Sequence, residues 1–368
     1  MHYCLGTAHF SLVFTIFFGQ NKFSAFKKDF YGAAWMIAFT APIDYTESDT
    51  KMSHRDQPTQ AQQDTYKETI MPITADCHLH SSFSGDSDTP MEEIVLRGIE
   101  LGLTHMCFTE HNDFDYPTTD PLPADAEIPE TATDIAAAKI SASNLDIVTE
   151  GMFELNPDSY LYDFLKLKDK YANQITLCFG VELGMQPHIS RENAAFAKAH
   201  DYDFIIASSH LCNGKDPYYP SFYEGRTQEE AYREYFESIL DNLKSYSNFD
   251  VYGHLDYVVR YGPTKDQGYS YEIFSDVFDR ILNRLISMEK GIEINTAGLA
   301  KGMRDANPCI GVIRRYRELG GEIITVGSDA HEPQKIAYAF DRAADILKDC
   351  GFRYYATFEK RSPSFHKL

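Results

Sequence analysis

Residues 73–113 read ITADCHLHSSFSGDSDTPMEEIVLRGIELGLTHMCFTEHND. The segment falls into three parts. A β-type run, ITADCHLH (73–80), leads through a polar loop into a helical stretch over 90–101. Pro90 suits the first position of that helix and Gly102 its end. A second β-type run, THMCFTEH (104–111), follows. Strand, helix and strand in that order are the unit of a parallel sheet.

The same alternation continues downstream. Further strands are expected at ITLCFGVEL (175–183), DFIIASSH (203–210), FDVYGHLD (249–256), GIEINTAG (291–298) and EIITVGSDAH (322–331). Amphipathic helices are expected over 190–200, 227–244, 270–288, 307–319 and 333–349. Seven strand–helix units fit a closed α/β barrel better than a doubly wound sheet. No GxGxxG or GxxxxGK[ST] follows any of these strands, so the common nucleotide-binding motifs are missing. Residues 112–174 are too long for an ordinary βα loop. They read as a helical insertion after the second strand, with helices expected over 131–141 and 157–171.

Outside this region the texture differs. Residues 10–18 (FSLVFTIFF) are apolar but fall short of the ~20 residues that a spanning helix needs. No Lys or Arg precedes them, so they lack the basic start of a signal peptide. Residues 44–69 are polar and rich in Gln, Asp and Thr, as in a linker or a disordered stretch. Residues 1–70 are therefore expected to be a poorly ordered extension or linker, and residues 71–368 the barrel. No membrane partner is expected.

The chain of 368 residues carries 55 acidic against 34 basic residues, a formal charge of −21. Such a surface repels nucleic acid at long range, and no nucleic-acid partner is expected. The seven cysteines include no CxxC pair, and several lie in apolar runs. They read as buried small hydrophobes in a reducing cytoplasm.

The chemistry lies in the histidines. Six of the thirteen stand at the C-terminal end of an expected strand: His78, His80, His111, His210, His254 and His331. Glu182 and Asp329 stand in the same position. In an α/β barrel these ends converge on one face, where active sites are built. Residues i and i+2 of a strand share a side, so His78 with His80, and Asp329 with His331, can face one metal together. Gathering so many polar groups without an ion to satisfy them would be costly. The other histidines (His2, His9, His54, His105, His188, His200 and His366) have no such placement and read as surface, tail or packing residues.

DCHLHSSFSGD (76–86), FTEHND (108–113), GVELG (180–184), SSH (208–210), GHLD (253–256) and GSDAH (327–331) occur in this order. They resemble the ordered motifs of the PHP (polymerase and histidinol phosphatase) superfamily over roughly residues 73–360. HLCNGKDPYYP (210–220) and YGHLDYVVRYGP (252–263) resemble its histidinol-phosphatase branch, as does the helix-rich insertion before GVELG. The resemblance implies a distorted (β/α)7 barrel, TIM-like, with three divalent metal ions. It would place His78, His80, Glu182 and Asp329 around one metal. Glu182 would bridge to a second, completed by His210 and His254. A third would take Asp86, His111 and His331. The mixed N/O donor set suits Zn, Mn or Fe.

A phosphate monoester dianion repels nucleophiles. Bound metal ions neutralise its oxygens and lower the pKa of bound water from about 16 to about 7. The implied reaction is hydrolysis of a small-molecule phosphate ester, L-histidinol phosphate, in cytoplasmic histidine biosynthesis. Arg260 is the candidate phosphate anchor, by placement and by family likeness, because Arg makes bidentate phosphate contacts. Lys215 is a second candidate. Glu110 is a candidate partner that fixes the tautomer of His111. Asp113, Asp115, Asp216, Tyr218 and Tyr219 flank the ligand-bearing loops and are candidates for the substrate's amine and imidazole. Three other readings stay open: a phosphoesterase acting on nucleotides or oligonucleotides, one acting on phosphotyrosine, and a non-catalytic metal-binding module.

Overall fold

Seven parallel strands and their intervening helices organise the described residues, 72–116 and 152–368, of the computed structural model. The strands are β1 (Ala75–Leu79), β2 (His105–Asn112), β3 (Thr176–Gly184), β4 (Phe204–Ser208), β5 (Val251–Tyr252), β6 (Gly291–Asn295) and β7 (Ile324–Gly327). Each pairs with the next in chain order. They are buried along almost their whole length, as expected of a parallel sheet covered on both faces. The seam between the last strand and the first is nearly closed, by a single bridge just beyond β7. Leu79 and Ala330 form a parallel bridge, Asp329 N donates to His78 O at 2.9 Å, and His80 N donates to Ala330 O at 3.0 Å. The seven-unit barrel expected from the alternation is therefore the fold.

The helices are α1 (Met91–Glu100), α2 (Pro157–Lys170), α3 (Ser190–Ala199), α4 (Gln228–Ser245), α5 (Ser275–Ser287), α6 (Ala297–Ala300), α7 (Ile310–Glu318) and α8 (Phe340–Asp349). Local chemistry explains where they start. Asn156 accepts from Ser159 N ahead of α2, with Pro157 in the first turn. Thr227 and Glu230 cap α4 reciprocally. The stripe Val277, Phe278, Ile281, Leu282 and Leu285 buries one face of α5. None of the helices among the described residues is long and apolar enough to cross a membrane.

Several strands stop earlier than their sequence runs. β4 ends at Ser208, β5 at Tyr252 and β7 at Gly327, so His210, His254, Asp329 and His331 lie in the loops just beyond. The run expected to end β6 at Gly298 turns into α6 instead. The helix expected over 333–349 is broken. Ala337 and Ala339 take left-handed φ values of 54° and 56°, and Asp76 Oδ2 accepts from Ala337 N at 3.0 Å. The helix expected over 131–141 and the extension over 1–70 lie outside the described residues.

One element was not expected. β8 (Tyr354–Glu359) and β9 (Ser362–Lys367) form an antiparallel hairpin. It packs at the N-terminal ends of the strands. Tyr355 Oη accepts from Thr74 N at 3.3 Å, Asp203 Oδ1 accepts from Lys360 N at 3.0 Å, and Arg361 Nε donates to Asp250 Oδ2 at 2.6 Å. The opposite end carries the candidate site. Cys77, Cys107, Cys178, Cys212, Cys309 and Cys350 are all buried and free, as expected, including Cys212 and Cys350, which lie outside the apolar runs.

Candidate metal centre

Glu182 lies in β3 with its side chain wholly buried. Its Oε1 is 3.2 Å from His210 Nε2 and 2.9 Å from His254 Nε2. Its Oε2 is 3.2 Å from His78 Nε2, 2.9 Å from His111 Nδ1 and 3.6 Å from His80 Nε2. Two further carboxylates flank this knot. Asp329 Oδ1 stands 3.4 Å from His80 Nε2 and 3.7 Å from His78 Nε2. Asp86 Oδ2 stands 3.1 Å from His331 Nε2 and 3.6 Å from His111 Nε2. All nine residues singled out in the sequence as candidate ligands thus meet at one end of the barrel.

The backs of three rings are pinned. His78 Nδ1 faces Glu293 Oε1 at 2.7 Å, and His210 Nδ1 faces Asp113 Oδ1 at 3.0 Å. A carboxylate has no proton to give, so both rings donate from Nδ1, which leaves Nε2 as the atom that a metal can take. His80 Nδ1 meets Ser84 Oγ at 3.0 Å. That hydroxyl gives its single proton to Glu110 Oε2 at 2.6 Å, so His80 must donate to it as well. Each of the three Nε2 atoms then points into the knot, towards carboxylate oxygens. Nε2 of His78 and His80, Oε2 of Glu182, Nδ1 of His111 and of His254, and Oδ1 of Asp86 are buried without a hydrogen bond. With neutral rings those nitrogens would oppose carboxylate lone pairs, and an unmade buried bond costs roughly 1–3 kcal/mol, so either protons or cations must lie between them. Cations among them would remove both penalties. Four overlapping triads could hold one, with donor atoms within 4.8 Å: His78–His80–Asp329, His78–Glu182–His254, His111–Glu182–His210 and His80–His111–His331. The residues present therefore fit divalent metal ions.

The electrostatics agree. Burial alone would push the imidazoles down. It is outweighed by Glu293, Glu182 and Asp329 for His78, by Asp86 and Glu182 for His111, and by Asp113 and Glu182 for His210. All three are held well above the usual histidine range. Burial would raise the Glu182 carboxyl, but His78, His210 and His111 hold it well below its ordinary value. His80 goes the other way, pushed well down by burial and by His111 and His331 beside it. Protons and cations compete for the same lone pairs, so a site that attracts one attracts the other.

Arg260 is buried behind Asp329. Nη1 donates to Asp329 Oδ2 at 3.0 Å, Nε to Asn307 Oδ1 at 2.8 Å and Nη2 to Asn295 Oδ1 at 2.8 Å. Lys215 is exposed, on a tight turn in which Cys212 N donates to Lys215 O at 2.8 Å. The structure does not bring it into the buried knot. Glu110 differs from expectation. As the strand neighbour of His111 it points to the opposite face. It accepts from Ser81 N, Ser81 Oγ and Ser84 Oγ, and through Ser84 it reaches the His80 ring and the backbone N–H of His111 rather than the His111 ring. Asp113, grouped with the possible substrate contacts, backs His210. Asp115 accepts from Gln186 Nε2 and lies 2.6 Å from His188 Nε2. Asp216 accepts from Tyr116 Oη at 2.9 Å and Tyr218 N at 2.8 Å, and Tyr218 packs its ring on Tyr219 and Tyr261.

Sequence reasoning missed Glu293. Its other oxygen accepts from His254 N at 3.1 Å and from Asn295 Nδ2 at 3.1 Å. The available signal was Glu293 and Asn295 at i and i+2 in GIEIN, two polar side chains on one face of an apolar strand. Two glycines make room for these backing carboxylates. A Cβ on Gly327 would stand 2.3 Å from Glu293 Oε1, and one on Gly184 would stand 1.9 Å from Asp113 Oδ1.

Fold and site together define a (β/α)7 barrel with a histidine–carboxylate centre at the C-terminal ends of its strands. The chain belongs to the PHP domain family, whose family model matches residues 76–297. It is 31% identical over 284 residues to a histidinol-phosphatase of Lactococcus lactis, covering 77% of this chain and 93% of that protein. It is 30% identical over 286 residues to a Clostridium acetobutylicum protein named probable histidinol-phosphatase, covering 78% and 97%. Among solved structures, it superposes with a TM-score of 0.66 and 29% identity on the Lactococcus lactis histidinol phosphate phosphatase complexed with zinc, L-histidinol and phosphate. That match covers 79% of this chain and 98% of the other.

Proposed function

We propose that this chain is a metal-dependent phosphomonoesterase that hydrolyses L-histidinol phosphate to L-histidinol and phosphate, a step of histidine biosynthesis in the cytoplasm. The observation that carries the reading is the knot at Glu182. Five imidazoles surround one buried carboxylate, three of them pinned from behind so that their lone pairs face inward. The choice of substrate is supported by the similarity to histidinol-phosphatases along nearly their whole length.

Three divalent ions are proposed. His78, His80, Glu182 and Asp329 would hold the first, Glu182, His210 and His254 the second, and Asp86, His111 and His331 the third. Zinc is supported by its presence in the Lactococcus lactis structure. Manganese and iron suit the same donors. When bound, the ions supply positive charge against the phosphoryl oxygens and acidify coordinated water.

The chain's own residues do the rest. Glu293, Ser84 and Asp113 keep three imidazoles in one tautomer and one orientation. Arg260 and Asn295 hold the Asp329 carboxylate, Asn295 Nδ2 donating to its Oδ2 at 3.2 Å. Arg260 has five N–H donors, and Asn307, Asn295 and Asp329 engage three of them. The remaining donors are assigned to a phosphoryl oxygen. Lys215, exposed on the loop beyond His210, is assigned to the arriving dianion.

Purified protein loaded with zinc should be assayed on L-histidinol phosphate beside 5′-nucleotides, phosphotyrosine and short oligonucleotides. A wide preference for L-histidinol phosphate is expected. A wide preference for another of these would overturn the substrate and leave the phosphoesterase standing. Inactivity on all of them would overturn the enzyme reading.

A further inference from the structure

A buried guanidinium sits where its acceptors stand. Two of the acceptors of Arg260 are side-chain amide oxygens, and an amide can present oxygen or nitrogen with almost the same shape. Something must choose for each. Asn295 is fixed four times over. Its Oδ1 accepts from Arg260 Nη2 at 2.8 Å and from Ala297 N at 3.0 Å, and its Nδ2 donates to Glu293 Oε2 and Asp329 Oδ2. Asn307 has one determinant beyond the arginine itself. Its Nδ2 donates to Asp256 Oδ1 at 2.6 Å, while its Oδ1 accepts from Arg260 Nε at 2.8 Å. A carboxylate has no proton to give and a guanidinium has no lone pair. The reversed amide would be repelled at both ends.

Asp256 is itself held firmly. It is buried, and its Oδ2 accepts from Tyr269 Oη at 2.9 Å and from Cys309 N at 2.9 Å. The backbone of Asn307 is tied to that of Asn295 in both directions, at 2.8 and 2.9 Å. Gly298 leaves space for the amide, since a Cβ there would stand 2.5 Å from Asn307 Oδ1.

We infer that Asp256, which no contact above places among the metal-holding groups, is a positioning residue that aims the guanidinium of Arg260 through the Asn307 amide. The kinetic consequence rests on the proposed role of Arg260 towards phosphate; the positioning itself does not.

Asp256→Asn tests it with almost no change of shape. Cys309 N–H and the Tyr269 hydroxyl claim the oxygen of the new amide. Its NH2 group then faces Asn307, which turns its oxygen away from Arg260. The readouts are the Arg260 Nε–H resonance of the metal-loaded protein, identified by its loss in Arg260→Lys, together with metal content and steady-state kinetics. The resonance should move, metal content should hold, and kcat/KM on L-histidinol phosphate should fall roughly tenfold or more. In an Arg260→Lys background Asp256→Asn should cost nothing further. Gly298→Ala, which displaces the same amide oxygen, should move the same resonance, and Tyr269→Phe, which takes one of its two donors from Asp256 Oδ2, should move it as well and decides the matter if Asp256→Asn does not fold. An unmoved resonance overturns the proposal, and so does an undiminished loss in the Arg260→Lys background. Full activity of Arg260→Lys would instead overturn the role of the arginine in the reaction, and the resonance would then decide the positioning alone.

Discussion

His78 Nδ1 lies 2.7 Å from Glu293 Oε1, between two wholly buried side chains that stand 215 positions apart in the chain. One carboxylate thus orients His78 through its ring and His254 through its backbone N–H. Glu293→Gln keeps the shape and removes the charge. Metal affinity should fall roughly 10–100-fold with the fold retained. Competition against a chelating dye measures it, and parental affinity would show that Glu293 does not tune the centre.

Glu182 touches imidazoles through both of its oxygens, so Glu182→Gln puts an NH2 group where a lone pair is needed. The variant should lose activity and one metal equivalent, as counted by elemental analysis against protein concentration. A variant with a full metal complement would remove Glu182 from its proposed bridging place.

Arg260→Ala deletes a buried charge with three ordered acceptors. The loss in kcat/KM should be about 2 kcal/mol or more. Arg260→Lys should restore little of it, because an ammonium cannot fork across Asn295, Asn307 and Asp329 as a guanidinium does. Full activity of the alanine variant on L-histidinol phosphate would end the anchor assignment.

Gly184→Ala is a small change with a large expected effect. Its methyl group would overlap the Asp113 carboxylate, which holds His210 Nδ1. We expect weakened metal retention at the His210 side and reduced kcat, both read by titrating metal back into the stripped variant. Behaviour identical to the parent would mean that Asp113 is not needed to orient His210.

Removing the metal should destabilise the fold as well as abolish the activity. Stripped protein has only protons to set against its buried carboxylates, and ligand binding to the native state adds stability by mass action. Dialysis against a chelator should lower Tm, and zinc, manganese or iron should restore both Tm and turnover. An unchanged Tm with unchanged activity after verified stripping would contradict a metal-dependent mechanism.

The barrel and the strand-end ligands were legible in the sequence because both obey short-range rules, whereas Asp86 came only through the family resemblance. Strand–helix alternation is local, and His78 with His80, or Asp329 with His331, share a side through the i, i+2 period of extended chain. Position at a strand's C-terminal end then predicted convergence without any contact being known. Exact strand ends were less legible. β5 was expected to run to Asp256 and stops at Tyr252, because His254 N bonds the Glu293 side chain instead of continuing the ladder. The C-terminal hairpin was missed altogether.

What the sequence by itself determined, then, is the architecture and the set of side chains delivered to one end of it. Tertiary structure alone decided how those side chains are held. Glu293 behind His78, Asp113 behind His210, Glu110 serving His80 through Ser84, and Asp256 reaching Arg260 through Asn307 are contacts between different strands and loops. The physical reason is that periodicity tells which face of a strand a residue occupies. Which atom it meets there, and therefore which proton sits on which nitrogen, depends on distances set when separate segments pack together.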